Sequence, residues 1–164
     1  MDISTYFWGT RDRDEPTLVY SAPIEDTWVG LYLTCLNTAS HIVYYKIPYG
    51  NIGVVINCCR KRYKVPPHIT LFNFPIKDIP ETDIIVIAKQ CIKIINHAFA
   101  KKRSVIINCR AGVSRSASIV MAFLITKGYT YKGAYNTLNS LRKCIKPNRG
   151  FVKQLKAFEP SLKN

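Results

Sequence analysis

"SVIINCRAGVSRSASIVMAFLITK", residues 104–127, decides the fold. It opens on a short apolar run of strand length, "SVIIN". A polar loop follows, "CRAGVSR" (109–115), and then an apolar helix, "SASIVMAFLITK" (116–127), with Gly128 as its stop. A loop that leaves a strand and opens a helix lies at the carboxyl end of the strand, where α/β sheets bind ligands. The backbone N–H groups of such a loop turn inward as an anion nest, and the helix N-terminus adds positive potential. Gly112 allows the chain to curl without a Cβ clash. A thiol at the centre of the nest, Cys109, has a depressed pKa because N–H donors and a nearby cation favour the thiolate. Arg115 carries a planar fork that holds two oxygens of a tetrahedral phosphate. The loop joins a nucleophile to a phosphate cradle.

Working outward, strands and helices alternate. Residues 1–27 are turn-rich and are expected to wrap the surface. "TWVGLYLT" (27–34) reads as a strand or hairpin arm, and "NTASHIVYYKIPYG" (37–50) as a short helix and a connection. "IGVVINCC" (52–59) is a strand buried on both faces. A basic loop, "RKRYKVPP", precedes a further strand, "HITLFNF" (68–74). Between Asp83 and Ala100, apolar residues fall at helical spacing, with Lys89, Lys93 and Asn96 between them. Thr130 caps a helix from Tyr131 to about Lys143, with Ala134, Leu138 and Leu141 inward. Pro147 breaks the chain before a last amphipathic helix, "RGFVKQLKAFE". The predicted fold class is α/β, a central, mostly parallel sheet flanked by helices.

The 164 residues suit one domain, and no apolar stretch approaches the roughly 20 residues of a membrane span. The N-terminus lacks the apolar core of a signal peptide, so a cytoplasmic protein is expected. Six cysteines occur without a C-x-x-C pair, which argues against structural zinc, and they are read chiefly as small buried residues. Cys58 and Cys59 end a strand expected beside that of Cys109; packing is their expected role, and a disulfide to an oxidised Cys109 is the alternative. The net charge of +14 favours anionic partners. Abundant Ile, Lys, Asn and Tyr fit an AT-rich genome such as that of a large DNA virus.

Cys109-Arg110-Ala111-Gly112-Val113-Ser114-Arg115-Ser116 resembles the C-x-x-G-x-x-R-S/T signature of the cysteine-dependent protein phosphatases, and its interior looks most like the dual-specificity branch. "FPIKDIPETDI" (74–84) is similar to the general-acid loop of that family, with Asp78 thirty-one residues before Cys109. "IKPNRGFVKQLKAFE" (145–159) is similar to its C-terminal helix. The resemblance covers about residues 27–159, which implies a catalytic domain over 27–164 and an N-terminal extension, 1–26, packed on it. It implies a fold built around a strand, phosphate loop and helix. It also implies four catalytic residues: Cys109 as nucleophile, Arg115 as phosphate ligand, Asp78 as general acid and then base, and Ser116 as donor to the departing sulfur. Arg110, Ala111, Gly112, Val113, Ser114 and Arg115 would line the phosphate site. No cofactor or metal is required, since Arg115 and the nest supply the positive charge. One departure stands out. The family normally has His before the nucleophile, where this chain has Asn108.

The chemistry implied is hydrolysis of phosphotyrosine and phosphoserine or phosphothreonine through a phosphocysteine. The expected partners are phosphoproteins, acidic around the phosphosite, drawn by Arg60, Lys61, Arg62 and Lys64. Two alternatives stay open: the same chemistry on an RNA 5′-triphosphate or a phosphoinositide, and a module that binds phosphoproteins without turnover. Nucleic acid is not favoured. Lipid-directed relatives often carry Lys inside the loop and RNA-directed ones a different interior, whereas here Ala111, Val113 and Ser114 stand there.

Overall fold

A computed structural model describes residues 15–42, 47, 48 and 50–161. Two strands, β1 (Thr17–Ile24) and β2 (Thr27–Cys35), are followed by the short helix α1 (Leu36–Ser40). Next come β3 (Ile52–Asn57), β4 (Thr70–Asn73) and helix α2 (Ile84–Ala100). The stretch that decides the fold supplies β5 (Ser104–Cys109) and α3 (Arg115–Thr126). Helices α4 (Tyr131–Leu141) and α5 (Arg149–Ser161) complete the described chain.

The five strands form one sheet in the order β1-β2-β5-β3-β4. β5 lies at its centre, parallel to both β2 and β3, and β4 runs parallel to β3. All six residues of β5 are buried, as a strand covered on both faces requires. Helix α3 is buried along ten consecutive residues, Ser116–Ile125, so it is covered all round and has no solvent face along that stretch. Each fully buried Ile, Leu or Phe contributes about 1.5–3 kcal/mol relative to exposure. Ile119, Phe123 and Leu124 thus fix the helix whose N-terminus closes the phosphate loop.

Two features differ from the sequence reading. Residues 17–24 form β1, an antiparallel edge strand, where turn-rich wrapping chain is expected. The two residues between β1 and β2, Glu25 and Asp26, include no Gly or Asn, although Glu25 takes φ 51°. The usual sequence signal of a tight hairpin is therefore missing. Pro23 is tolerated there because edge strands can forgo a ladder donor. Leu141, expected inward, is 50% exposed, and the buried position at the end of α4 goes to Arg142. Of the expected connection after the short helix, residues 43–46 and 49 lie outside the described residues.

Candidate active site

The carboxyl ends of β5, β3 and β2 meet below the loop 109–115. Cys109 ends β5, 2% exposed. The Ser116 hydroxyl donates to its Sγ at 3.0 Å. Gly112 takes φ +64°, and a Cβ there would lie 2.7 Å from the Thr34 carbonyl oxygen, so the turn needs glycine.

The thiols show what the loop does. Burial pushes the Cys58 thiol well up, Cys59 to about 11 and Cys91 to about 12. Burial also pushes Cys109 up, but four effects oppose it: the Ser116 hydroxyl, the backbone N–H groups of Ser116 and Val113, and the Arg115 charge. The balance leaves Cys109 below the ordinary thiol value. Cys109 is thus set apart from Cys58, Cys59 and Cys91 by its donors.

Arg115, the first residue of α3, is tied through Nη1 to the carbonyl oxygens of Ile76 (3.2 Å) and Cys58 (3.5 Å). Its Nε is buried and makes no hydrogen bond. The Asp78 Oδ2 stands 3.8 Å from that nitrogen. A buried guanidinium donor with no acceptor carries a desolvation cost unless a ligand oxygen arrives.

Asp78 projects from the connection between β4 and α2. Its Oδ1 accepts from the Ser114 hydroxyl at 2.7 Å and from Asn148 Nδ2 at 2.9 Å. Asp83, the nearby carboxylate, instead caps α2 by accepting from the Val86 N–H at 3.0 Å. The two acids therefore separate cleanly, one facing the loop and one holding a helix. Arg110 is exposed, and Ala111 and Val113 are half-buried along the loop.

Several residues contribute to the site without a motif that marks them in the sequence. Asn148 donates to Asp78 while its Oδ1 accepts the Phe151 N–H at the start of α5. The signal available was an Asn just before a helix. Gln154 accepts from the Ile84 N–H at 2.9 Å and donates to the Thr82 carbonyl at 2.9 Å, fastening the Asp78 segment to α5. Gly150 packs so closely under Pro80 that no side chain fits. Asn108, the departure from the family pattern, does not reach the loop. It is fully buried, accepts from the Tyr63 hydroxyl at 2.6 Å and donates to Asn57 Oδ1 at 3.1 Å.

The dual specificity phosphatase catalytic domain family matches residues 31–161. Mouse dual specificity protein phosphatase 12 is 41% identical over 86 residues, which are 52% of this chain and 25% of that protein. The chain thus spans about a quarter of that relative's length. Protein 123R of Invertebrate iridescent virus 6, whose name places it among candidate tyrosine phosphatases, is 34% identical over 118 residues. That match covers 69% of this chain and 80% of the viral protein. Among solved structures, the human tyrosine phosphatase-like serine/threonine/tyrosine-interacting protein superposes with a TM-score of 0.74 at 25% identity, covering 82% of this chain and 93% of the other. Matched over most of its length and sharing the fold, the chain belongs to the dual specificity phosphatase family.

Proposed function

We propose that this domain hydrolyses phosphate monoesters on proteins, both phosphotyrosine and phosphoserine or phosphothreonine, through a phosphocysteine intermediate. One pairing carries the reading: the loop begins at Cys109, a buried thiol whose pKa is lowered, and ends at Arg115, whose buried Nε has no hydrogen-bond partner. In the first step the Cys109 thiolate attacks phosphorus in line with the leaving oxygen, forming the S–P bond as the P–O bond breaks. Arg115 and the loop N–H groups stabilise the equatorial oxygens. Asp78, protonated, gives its proton to the leaving phenolate or alkoxide. In the second step Asp78 takes a proton from water as that water attacks phosphorus. The sulfur departs as thiolate, assisted by the Ser116 hydroxyl. Ser114 and Asn148 hold the Asp78 carboxyl against the loop.

The exposed Arg60, Lys61, Arg62 and Lys64 follow β3, next to β5, and Arg110 follows the nucleophile. They support a preference for acidic phosphoproteins. The composition and the iridescent virus relative support a viral source, and phosphoprotein substrates support action in the cytoplasm. A structural neighbour is named only as phosphatase-like, so the fold alone does not decide turnover. The presence together of Cys109, Arg115 and Asp78 favours turnover over binding alone.

The test is hydrolysis of an aryl phosphate and of phosphopeptides in the presence of a chelator, with and without vanadate. Vanadate-sensitive turnover that Cys109→Ser abolishes is the expected result. Full activity in Cys109→Ser overturns the mechanism. Faster turnover of an RNA 5′-triphosphate or an inositol lipid than of phosphopeptides replaces the substrate class. Phosphopeptide binding without product replaces catalysis by recognition.

A further inference from the structure

An anion nest works only if the loop carbonyls point away from the anion, because each peptide unit carries its N–H and C=O in opposite directions. Here the carbonyls of residues 110–114 all find donors outside the nest. The Arg110 carbonyl accepts from the Leu36 N–H at 3.3 Å and the Val113 carbonyl from the Lys146 N–H at 2.8 Å. The Ser114 carbonyl accepts from both the N–H and the hydroxyl of Ser118 at 2.8 Å. The two carbonyls at the apex of the loop are taken by one side chain. Arg142 Nε donates to the Gly112 carbonyl at 3.0 Å, and its Nη2 to the Ala111 carbonyl at 3.2 Å.

Arg142 is 1% exposed, the largest fully buried side chain described. Its remaining nitrogen, Nη1, donates to the Thr17 hydroxyl at 3.2 Å and the Glu15 carbonyl at 3.3 Å, where β1 begins. A guanidinium this deep is costly unless its donors are used. A planar fork serving two successive carbonyls from one side and the sheet edge from the other is something a lysine cannot reproduce.

We propose that Arg142 is a positioning residue for the phosphate loop. It draws the Ala111 and Gly112 carbonyls outward, so that the loop N–H groups face the phosphate, and it couples the start of β1 to that orientation. The proposal rests on the phosphate-site reading above.

The test reads oxyanion binding separately from turnover. In the full chain carrying Cys109→Ser, tungstate is titrated calorimetrically against the parent and against Arg142→Lys, Thr17→Val and Leu138→Ala. Arg142→Lys is expected to weaken tungstate about tenfold, the scale of one or two lost charge-assisted hydrogen bonds. Thr17→Val is expected to weaken it by a smaller factor. Leu138→Ala, a core truncation in α4, is expected to lower thermal stability and leave tungstate affinity unchanged. With Cys109 intact, Arg142→Lys is also expected to raise the thiol pKa seen in the pH dependence of iodoacetate inactivation. A folded Arg142→Lys with parental affinity and thiol pKa overturns the proposal. Equal weakening in Leu138→Ala also overturns it, by reducing Arg142 to packing. If Arg142→Lys does not fold, parental affinity in Thr17→Val overturns it. A parent that binds no tungstate removes the phosphate-site reading itself, which is a different failure.

Discussion

Asn108 and Cys109 are neighbours in β5, and their side chains enter opposite faces of the sheet, as strand geometry requires. On the Asn108 side the polar groups close on one another. Asn57 accepts from Asn108 Nδ2 and the Cys59 N–H, and donates to Asn73 Oδ1 and the Lys61 carbonyl. Tyr63 completes the chain at Asn108 Oδ1. On the Cys109 side the donors converge on a sulfur, and Arg115 Nε is left without a hydrogen-bond partner. Both regions are buried and rich in hydrogen bonds. They differ in that one is satisfied within the protein while the other holds donors in readiness. A satisfied network stabilises the connection between β3 and β5. A site is recognised by donors whose acceptor has to come from outside.

The largest effect that tests this contrast is at Asp78, beyond Cys109 itself. Asp78→Asn keeps an oxygen for the Ser114 and Asn148 donors, so the loop geometry survives. It removes the transferable proton. The kcat on phosphoserine peptides should fall about 10²–10⁴-fold, the usual worth of general acid catalysis. Aryl phosphates with good leaving groups should suffer much less. Equal losses on both substrates would mean that Asp78 positions the loop and transfers no proton.

A smaller effect is expected at Ser116, whose hydroxyl is the foremost influence lowering the Cys109 pKa. Ser116→Ala leaves burial in place and takes that donor away, so the thiol pKa rises. Less thiolate is then present at any given pH, and the acid limb of kcat/KM moves to higher pH. Iodoacetate inactivation should show the same upward displacement. A thiol lowered on folding stabilises the native state above its unfolded pKa, and that contribution disappears as pH falls through the folded pKa. Ser116→Ala should therefore cost most stability in alkaline solution, as chemical denaturation at two pH values would show. A thiol pKa unchanged by the substitution would leave the loop N–H groups and Arg115 as sufficient causes.

What could be read in the sequence was local. The strand, loop and helix of 104–127 carry their periodicity and turn chemistry within one short segment, and the Thr130 cap lies within a few residues of the N–H group it serves. What could not be read was long-range or broke a polarity rule. Arg142 follows Ala134 and Leu138 at four-residue steps, which places it inward. A charged residue there is ordinarily counted as exposed, so the sequence pattern alone gives the inward position to Leu141. The link from Ser114 to Asp78 crosses 36 residues, and that from Asn108 to Tyr63 crosses 45. Nothing in the local pattern announces either. β1 was hidden for another reason, since its hairpin uses Glu25 where the usual signal is Asn or Gly.

The smallest expected effect is the most instructive for the contrast between the two faces. Asn108 is neutral, and its two polar atoms already have partners in Tyr63 and Asn57. Asn108→His would place an imidazole between the same two residues. As a cation it has two N–H donors. Asn57 Oδ1 accepts there already, and the Tyr63 hydroxyl oxygen can accept by turning its hydrogen away. Burial opposes the charge, and these two acceptors favour it. An imidazolium one residue from the nucleophile stabilises the thiolate through the strand, so the inactivation pKa of Cys109 should move down and activity should extend to lower pH. The shift should be smaller than the upward one in Ser116→Ala, because the Ser116 hydroxyl touches the sulfur and residue 108 does not. Tyr63→Phe in the His variant should reverse part of it by removing one acceptor. An unchanged or raised pKa in Asn108→His would show that the closed network is insulated from the thiol, and that the two faces of β5 act independently.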